Sequence, residues 1–373
     1  MFRSKWAAVA GAFATVTSMA IASGGNPVFV SLSVPKATHL TLDGTACVSS
    51  RSCFAVGSFQ AGAHIVPAIE RWNGKRWSTM SSPSVPGAEL LSVACPSSRV
   101  CVAVGDRQNG TFAERFGGRT WRIAATPSPG SGGADTLYSV SCTSSSSCFA
   151  VGGVGLGSAA AAPLFEHWDG RGWSLMGTGG ASGFLSAVSC GGVGSCAAVG
   201  IGHPFASKTT ALAERFEGGS WHVVGTPAPP GRGTALQGVS CASATHCFAA
   251  GAEAGSDGLF LEFAGGRWRR VSGPPARVQI TEVEAVACVG AVSCVATGAL
   301  FPRDGTSISD QVPMVLVWDG SRVTPLKTGA LPRGTRSGYL SSVDCLRIPF
   351  CMTVGTASSN TRIAALAEAG PFG

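Results

Sequence analysis

The residues of this chain with the clearest chemistry are its fourteen cysteines, which form seven pairs of the pattern Cys-x5-Cys. The pairs are Cys47 and Cys53, Cys95 and Cys101, Cys142 and Cys148, Cys190 and Cys196, Cys241 and Cys247, Cys288 and Cys294, and Cys345 and Cys351. Paired cysteines serve either a disulfide framework or a metal site. Zinc sites use shorter cysteine spacings with histidines nearby, whereas only His246 lies inside a pair. The even count and regular spacing therefore predict seven disulfides, with no metal and no other cofactor.

A second set of chemically varied residues lies four positions before the first cysteine of each pair. Its members are Asp43, Leu91, Tyr138, Ser186, Gln237, Glu284 and Ser341. Asp43, Tyr138, Gln237 and Glu284 are predicted to bind ligand, because pockets combine apolar walls with a few polar groups. Glycoside hydrolysis needs two carboxyl groups about 5 to 10 Å apart, so Asp43 and Glu284 form the predicted catalytic pair if the protein is an enzyme. The alternative is that this position varies freely where it meets water.

Several other kinds of site are excluded by the sequence. The chain contains no EF-hand loop, phosphate loop, His-Glu-x-x-His motif or serine nucleophile elbow. A copper site that needs tyrosine ligands and a free cysteine is also excluded, since the chain has two tyrosines and all its cysteines pair. The formal charge is +7, but charged residues make up only 13% of the chain and form no basic run. Nucleic acid is therefore not a predicted partner.

The elements that position these residues form a repeat of roughly fifty residues, in step with the cysteine pairs. In the second repeat, a strand runs from Leu90 to Cys95 and a second strand begins with the Cys-x-Ala-Val-Gly segment 101–105. A third strand ends at the aromatic Phe116, and Trp121, five residues later, begins a fourth. Four short strands per repeat indicate a β-propeller blade, and seven repeats indicate seven blades.

The two ends of the chain complement each other. The seventh repeat ends after its third strand, at 367–369, and lacks the Trp strand. Residues 27–35 have the pattern of that missing strand, with Phe29 in the Trp position. A solenoid would instead need distinct capping units at both ends. We therefore predict an all-β protein with one domain over 23–373, a seven-bladed β-propeller of four-stranded blades whose ring is closed by 27–35.

The alternation of a strand ending in glycine, an aromatic residue, a nearby Trp and a following proline resembles kelch-type propeller repeats. It resembles still more closely the Cys-paired secreted propeller proteins of high-GC bacteria. The likeness covers nearly the whole mature chain and implies the propeller fold. The Cys-x5-Cys pattern and the five-residue spacing from aromatic to Trp depart from ordinary kelch units, so the resemblance implies no particular ligand.

One face of the predicted propeller carries the variable loops. In a four-stranded blade, the loop between the second and third strands and the connection to the next blade share this face, and binding residues concentrate on such loops. The longest of these segments, 300–311 and 327–338, both belong to the sixth repeat. Their charged residues Arg303, Asp304, Arg333 and Arg336 are predicted ligand contacts. A solvated loop residue is the alternative for each.

The N-terminus predicts export. Arg3 and Lys5 precede an apolar run that ends at the small-residue segment 20–22, which is typical of a signal peptide over 1–22. An uncleaved anchor is the alternative. Export agrees with the cysteine pattern, because disulfides persist outside the cytoplasm. We expect an extracellular monomer, free or associated with the cell wall, without a membrane span in its mature part.

Two classes of function remain open for such a protein. The first is a binding scaffold that recognises a cell-wall or environmental polysaccharide, or a surface protein. The second is an extracellular carbohydrate-active enzyme, either a glycoside hydrolase or a lyase. The first needs only a rigid scaffold and variable loops, and it is the preferred prediction. Fold analogy does not separate them, because propellers host many functions.

Overall fold

The protein is described by a computed structural model that covers residues 29–34, 39–108, 110–129, 134–158, 160–203, 208–227, 233–254, 258–274, 279–301, 311–346, 350–359 and 362–370. Within these ranges, 28 β-strands form seven four-stranded sheets. The innermost strand of each sheet contacts that of the next, and the innermost strand of the seventh contacts that of the first. The sheets therefore close into a ring, and the predicted seven-bladed β-propeller is confirmed.

Each blade is an antiparallel meander that runs outward from the central axis. Blade 1 consists of β2 (Thr41–Ser49), β3 (Ser52–Ala61), β4 (His64–Trp72) and β5 (Trp77–Thr79). Blade 2 consists of β6 (Ala88–Ser97), β7 (Val100–Arg107), β8 (Gly110–Phe116) and β9 (Trp121–Ile123). Blade 3 consists of β10 (Ala134–Ser144), β11 (Ser147–Leu156), β12 (Ala162–Trp168) and β13 (Trp173–Leu175).

The next three blades repeat the same order. Blade 4 consists of β14 (Gly183–Gly192), β15 (Ser195–Gly202), β16 (Thr210–Glu217) and β17 (Ser220–Val223). Blade 5 consists of β18 (Thr234–Ser243), β19 (His246–Glu253), β20 (Leu259–Ala264) and β21 (Arg267–Arg270). Blade 6 consists of β22 (Gln279–Gly290), β23 (Ser293–Phe301), β24 (Val312–Trp318) and β25 (Val323–Leu326).

Blade 7 is assembled from both ends of the chain. It consists of β26 (Ser337–Leu346), β27 (Phe350–Ser359), β28 (Arg362–Gly370) and β1 (Val30–Ser31). Val30 pairs with Ala369, and the buried ring of Phe29 occupies the place that Trp fills in blades 1 to 5. Gly370 stands where those blades have an aromatic residue, so the Phe29 ring packs directly against its backbone. The predicted closure by the N-terminal strand is confirmed.

All seven predicted disulfides are formed, and no cysteine is free. Each joins the two innermost strands of one blade across their connecting turn. Such a short loop is worth roughly 2 kcal/mol in the chain-entropy account of disulfide stabilisation. The cross-links therefore hold the strands that line the axis, where the blades crowd together.

The hydrophobic core lies between blades. In the interface of blades 1 and 2, Phe54 packs with its ring centre 5.2 Å from that of Phe116 and 5.9 Å from that of Trp121. The tryptophans at the start of the outer strands of blades 1 to 5 are all buried: Trp77, Trp121, Trp173, Trp221 and Trp268. Large rings fill the widening gap between sheets, because the blades diverge away from the axis.

Near the axis, small residues let neighbouring blades approach. A Cβ atom on Gly44 would lie 2.8 Å from the Cα of Ser92 in the next blade, which leaves no room for a larger residue. Serine side chains also form hydrogen bonds between neighbouring blades. The Ser92 hydroxyl of blade 2 accepts the N–H of Val140 in blade 3 at 3.2 Å. At the seam that closes the ring, the Asp344 carboxylate accepts the N–H of Cys47 at 2.6 Å.

The antiparallel order gives the propeller two distinct faces. The loop face carries the loops between second and third strands and the connections between blades. The turn face carries the cysteine turns and the tight turns that follow each third strand. Among the residues that the structure describes, none forms a helix with the length and apolar character of a membrane span.

Candidate functional site

Every innermost strand contains a β-bulge four residues before its first cysteine. In blade 1, Leu42 pairs with Gly57 and Gly44 pairs with Val56, which leaves Asp43 without a partner residue between them. The same register shift occurs at this position in the other six blades. Bulges redirect side chains and are common beside functional sites. The seven residues singled out by the sequence are therefore those that the backbone turns out of the regular pleat.

The bulge explains the glycine of the Cys-x-Ala-Val-Gly segment. A Cβ atom on Gly57 would collide with the carbonyl oxygen of Thr41, which the bulge brings against β3. The six equivalent glycines meet the same obstruction from their own innermost strands. Glycine is therefore required by this close approach of two backbones.

The seven bulge residues line one cavity on the axis of the ring. It has a volume of about 330 Å³ and is walled by the innermost strands of all seven blades. Ligand pockets begin at about this size, so the cavity suits a small molecule or one unit of a longer ligand. The bulge residues lie towards its loop-face end, which we call the channel mouth.

Asp43 and Glu284 are the two carboxyl groups that the bulges turn into the channel mouth. Burial raises the pKa of Asp43 to about 7, against the hydrogen bond from the Thr41 hydroxyl at 3.2 Å. Burial, together with the adjoining carboxyl groups of Glu282 and Asp43, raises the pKa of Glu284 to about 9. Both side chains keep some exposure to the channel, but the surrounding strands remove most bulk water. At neutral pH, Glu284 is therefore protonated and Asp43 is close to half ionised.

Blade 2 adds two carboxyl groups beside this pair. Glu89 of β6 and Asp106 of β7 are cross-strand partners. Burial raises the pKa of each, and the charge of Asp106 raises the pKa of Glu89 further. The hydroxyl of Thr136 in blade 3 donates to Asp106 at 2.8 Å. Together with Glu282, these carboxyl groups form an acidic arc along blades 6, 1 and 2.

The blades next along the ring contribute uncharged groups. Tyr138 of blade 3 packs with its ring centre 5.7 Å from that of Phe184 in blade 4. Burial raises the pKa of the Tyr138 phenol, so it remains a hydrogen-bond donor at neutral pH. Gln237 of blade 5 lines the cavity, and its side-chain oxygen is buried with no hydrogen-bond partner among the described atoms. The channel mouth thus combines an acidic arc with an aromatic pair and an amide.

The predicted site residues fall into three groups. Asp43, Tyr138, Gln237 and Glu284 are brought together at the channel mouth. Arg333 is exposed beside a separate cavity of about 510 Å³ at blade 7. Arg336 is exposed in the same connection between blades 6 and 7, outside the walls of the channel. The other two predicted contacts, Arg303 and Asp304, lie outside the described residues, as does the predicted signal peptide 1–22.

Sequence reasoning missed the residues that lie six positions before the first cysteine. Glu89, Phe184, Glu282 and Tyr339 occupy this position and lie beside the bulge residues. Burial and the charge of Asp43 raise the pKa of Tyr339, which shows how near it lies. The signal was available, because this position varies between repeats as the bulge position does.

The acidic arc is not arranged as a metal site. Within the part of the chain that the structure describes, no group of three or more His, Cys, Asp or Glu side chains is placed to hold a metal ion. Burial instead raises the pKa of Asp43, Glu89, Asp106 and Glu284 and favours their uncharged forms. This arrangement favours contacts with hydroxyl groups and amines over direct coordination of a cation.

The fold and this site define the class of the protein as a seven-bladed β-propeller with a lined central channel. Its fold is similar to that of YCF48 bound to D1 peptide, with 12% identity over 93% of this chain and 96% of that chain at a TM-score of 0.57. It is similar to U3-55K, with 11% identity over 92% and 98% at a TM-score of 0.61. A GH74 xyloglucanase from Xanthomonas campestris matches with 13% identity over 91% of this chain and 55% of that chain, at a TM-score of 0.53.

These likenesses show the fold alone, because the identities are low. No family model matches the chain, and no curated protein matches it in sequence. The finer resemblance to kelch-type repeats and to Cys-paired propellers of high-GC bacteria therefore stays a prediction, while the seven-bladed architecture that it implied is present.

Proposed function

We propose that this protein is an extracellular binding module that holds part of a polysaccharide at the channel mouth. One observation carries the proposal: seven bulges turn blade-specific side chains into a single cavity, while the residues around them repeat from blade to blade. A residue required by the fold recurs in every blade, as Gly57 does. The bulge position, whose side chains a ligand would meet, instead varies from blade to blade.

The chemistry of the channel mouth suits a sugar. Protonated Glu284 and the Tyr138 phenol supply hydrogen-bond donors, while Asp43 supplies an acceptor. Tyr138, with Phe184 packed against it, adds an aromatic group of the kind that ligand pockets use beside a few polar groups. The cavity of about 330 Å³ limits the buried part to a short segment.

Seven disulfides support an extracellular location, since paired thiols stay oxidised outside the cytoplasm. They also keep the inner strands rigid, so that little entropy is lost at the site when a ligand binds.

The test is a panel of immobilised polysaccharides against the protein without residues 1–22, with retention and released sugar both measured. The double variant Asp43→Asn with Glu284→Gln should fold and lose affinity by at least about tenfold, or about 1.4 kcal/mol. Asp319→Asn with Glu262→Gln, which changes carboxylates on the turn side of blades 6 and 5, is the matched control. Unchanged binding by the Asp43 and Glu284 double variant would remove the channel mouth from consideration. If no polysaccharide is retained, a surface protein becomes the expected ligand.

A second candidate function is a carbohydrate-active enzyme, either a glycoside hydrolase or a lyase. It is favoured by the pKa of Glu284, about 9, and that of Asp43, about 7. Two carboxyl groups with such different pKa values are typical of an acid and a base in one site. Released sugar that disappears in both Asp43→Asn and Glu284→Gln would support the enzyme. Retention without release would leave the binding module.

A further inference from the structure

On the turn face, blades 2 and 4 carry an arginine at the same position of the third strand, but its surroundings differ between the two blades. In blade 4, the guanidinium of Arg215 lies over the ring of Phe263 in blade 5, 4.4 Å from its centre. It forms an ion pair with Glu217 at 2.7 Å and donates to the hydroxyl of Ser195 at 3.0 Å. Arg215 is therefore a neutralised structural residue that joins two blades.

Blade 2 keeps the arginine but lacks both partners. Arg115 lies over the ring of Trp168 in blade 3, 5.8 Å from its centre. Gly117 stands where blade 4 has its glutamate, and Val100 stands where blade 4 has its serine. The Nε atom of Arg115 is buried and has no hydrogen-bond partner in the described structure. A half-buried cation is thus left without the carboxylate that its counterpart has.

The strand beside Arg115 adds a second positive charge. Arg122 of β9 is its direct cross-strand partner. Like charges in this position destabilise a sheet. The equivalent partners in blade 5 have opposite charges, Glu262 and Arg269. The like-charge pair is therefore particular to blade 2 and is not imposed by the repeat.

Two further arginines surround the same place. Arg119 and Arg171 belong to the tight turns of blades 2 and 3, and both are exposed. With Arg115 and Arg122 they line a groove of about 790 Å³ between these blades, which we call the Arg groove. The neighbouring carboxylate, Asp169, accepts backbone N–H groups of its own turn, at 2.8 Å from Arg171 and 2.9 Å from Gly172. Within the described residues, none of the four guanidinium groups forms an ion pair.

We propose that the Arg groove is a binding site for an acidic polysaccharide, whose sulfate, phosphate or carboxylate groups take the place of the glutamate that blade 2 lacks. Guanidinium groups bind such oxyanions through paired hydrogen bonds. Four of them across two blades match a series of anionic groups along a chain. The half-exposed Ile123 adds apolar surface beside the arginines.

This site is independent of the channel mouth, because it lies on the opposite face and shares no residue with it. Its test uses dextran sulfate and dextran, which have the same sugar backbone with and without sulfate. We expect the protein to bind dextran sulfate but not dextran in calorimetric titration. The variant Arg119→Gln, Arg122→Gln, Arg171→Gln should bind at least about tenfold more weakly. The proposal would be overturned if the unaltered protein showed no measurable binding to dextran sulfate.

The control removes three exposed arginines from the turn side of blades 1 and 5, with Arg76→Gln, Arg267→Gln and Arg269→Gln. It should weaken binding less than about threefold, since it changes the net charge equally but leaves the groove intact. Equal weakening by the two triple variants would mean that only overall charge matters and would overturn the site. Equal affinity for duplex DNA would overturn the assignment to a polysaccharide.

A single substitution tests the role of Arg115 without removing any arginine. Gly117→Glu gives blade 2 a carboxylate at the position that Glu217 occupies in blade 4. A Cβ atom on Gly117 meets no other atom within 4 Å. The new side chain should occupy the groove, weaken dextran sulfate binding at least about tenfold and raise the urea midpoint of unfolding. Ala264→Glu adds the same charge at the equivalent position of blade 5. It should change neither the affinity for dextran sulfate nor the urea midpoint of unfolding. Unchanged binding by Gly117→Glu would contradict the role of Arg115.

Discussion

A buried glutamate recurs on the third strand of five blades and makes stability depend on pH. The residues are Glu70, Glu114, Glu166, Glu214 and Glu368, all at most 2% exposed. Connections between blades reach some of these carboxylates, since Ser82 donates to Glu114 at 2.8 Å and the N–H of Gly179 donates to Glu214 at 3.1 Å. In Glu166 and Glu368, neither carboxyl oxygen has a hydrogen-bond partner of normal geometry in the described structure. Burial raises the pKa of Glu166 further than that of Glu368, to about 8 against about 7.

We predict that Glu166→Gln stabilises the protein at alkaline pH. Burial raises the pKa of Glu166 from 4.5 to about 8, and the nearby Thr111 hydroxyl opposes this only in part. A carboxyl group whose pKa is raised on folding makes its full contribution to the free energy of unfolding when the pH is below its pKa in the unfolded chain. That stability is lost as pH rises from about 4.5 through about 8. One pKa unit corresponds to about 1.4 kcal/mol, so the loss at pH 8 amounts to about 4 kcal/mol. The glutamine side chain of Glu166→Gln does not titrate, so the variant does not lose this stability.

The assay is equilibrium urea unfolding with the disulfides intact, at a series of pH values between about 4 and 8. The unaltered protein and Glu166→Gln should have similar stability at the acidic end and diverge progressively towards pH 8. The m-value should not change, since the compactness of both states is kept. Glu262→Gln, at a partly exposed position of blade 5, serves as the control and should follow the unaltered protein. Parallel pH profiles for Glu166→Gln and the unaltered protein would refute the reasoning.

Three further changes test how the ring is held together, each by urea unfolding. Replacing Cys190 and Cys196 by alanine should cost roughly 2 kcal/mol through the freed loop; a collapse of the whole fold would contradict so local a role. Asp344→Ser keeps an acceptor for the Cys47 N–H, so its free energy of unfolding should exceed that of Asp344→Ala by about 1 to 3 kcal/mol. Equal free energies of unfolding for the two variants would show that this hydrogen bond is dispensable. Phe29→Ala empties the closing position of blade 7 and should cost about 3 to 5 kcal/mol; a loss below about 1 kcal/mol would mean that β1 adds little to closure.

Much of the architecture could be predicted because its signals are local. The cysteines of each pair face each other across one turn, so their spacing alone specifies the bond. The Trp that begins each outer strand lies five residues after the aromatic that ends the third strand, so one tight turn accounts for both. Phe29 could be assigned to the last blade because the seventh repeat lacks a fourth strand that the N-terminus supplies.

The candidate site was predicted only in part. The variation at Asp43 and Glu284 was visible once the repeats were aligned, but the bulge that turns these residues into the channel was not. A bulge is a relation between two strands, and one extra residue in a strand leaves no mark in its own periodicity. Glu89 and Asp106 were missed as neighbours of Asp43 because they come from a different blade. Burial raises the pKa of both groups, and the charge of Asp106 adds to the effect on Glu89.

By itself, the sequence determined the number of blades, the disulfide pairs and the way in which the ends meet, since each follows from residues close together within a repeat or from a count of repeats. Only the tertiary structure decided which charges share a pocket. Glu89 lies near Asp43, and Arg115 and Arg171 line one groove between blades, because ring closure and blade packing join segments remote in the chain. Electrostatic interactions depend on distance and burial, which arise only when the blades have packed.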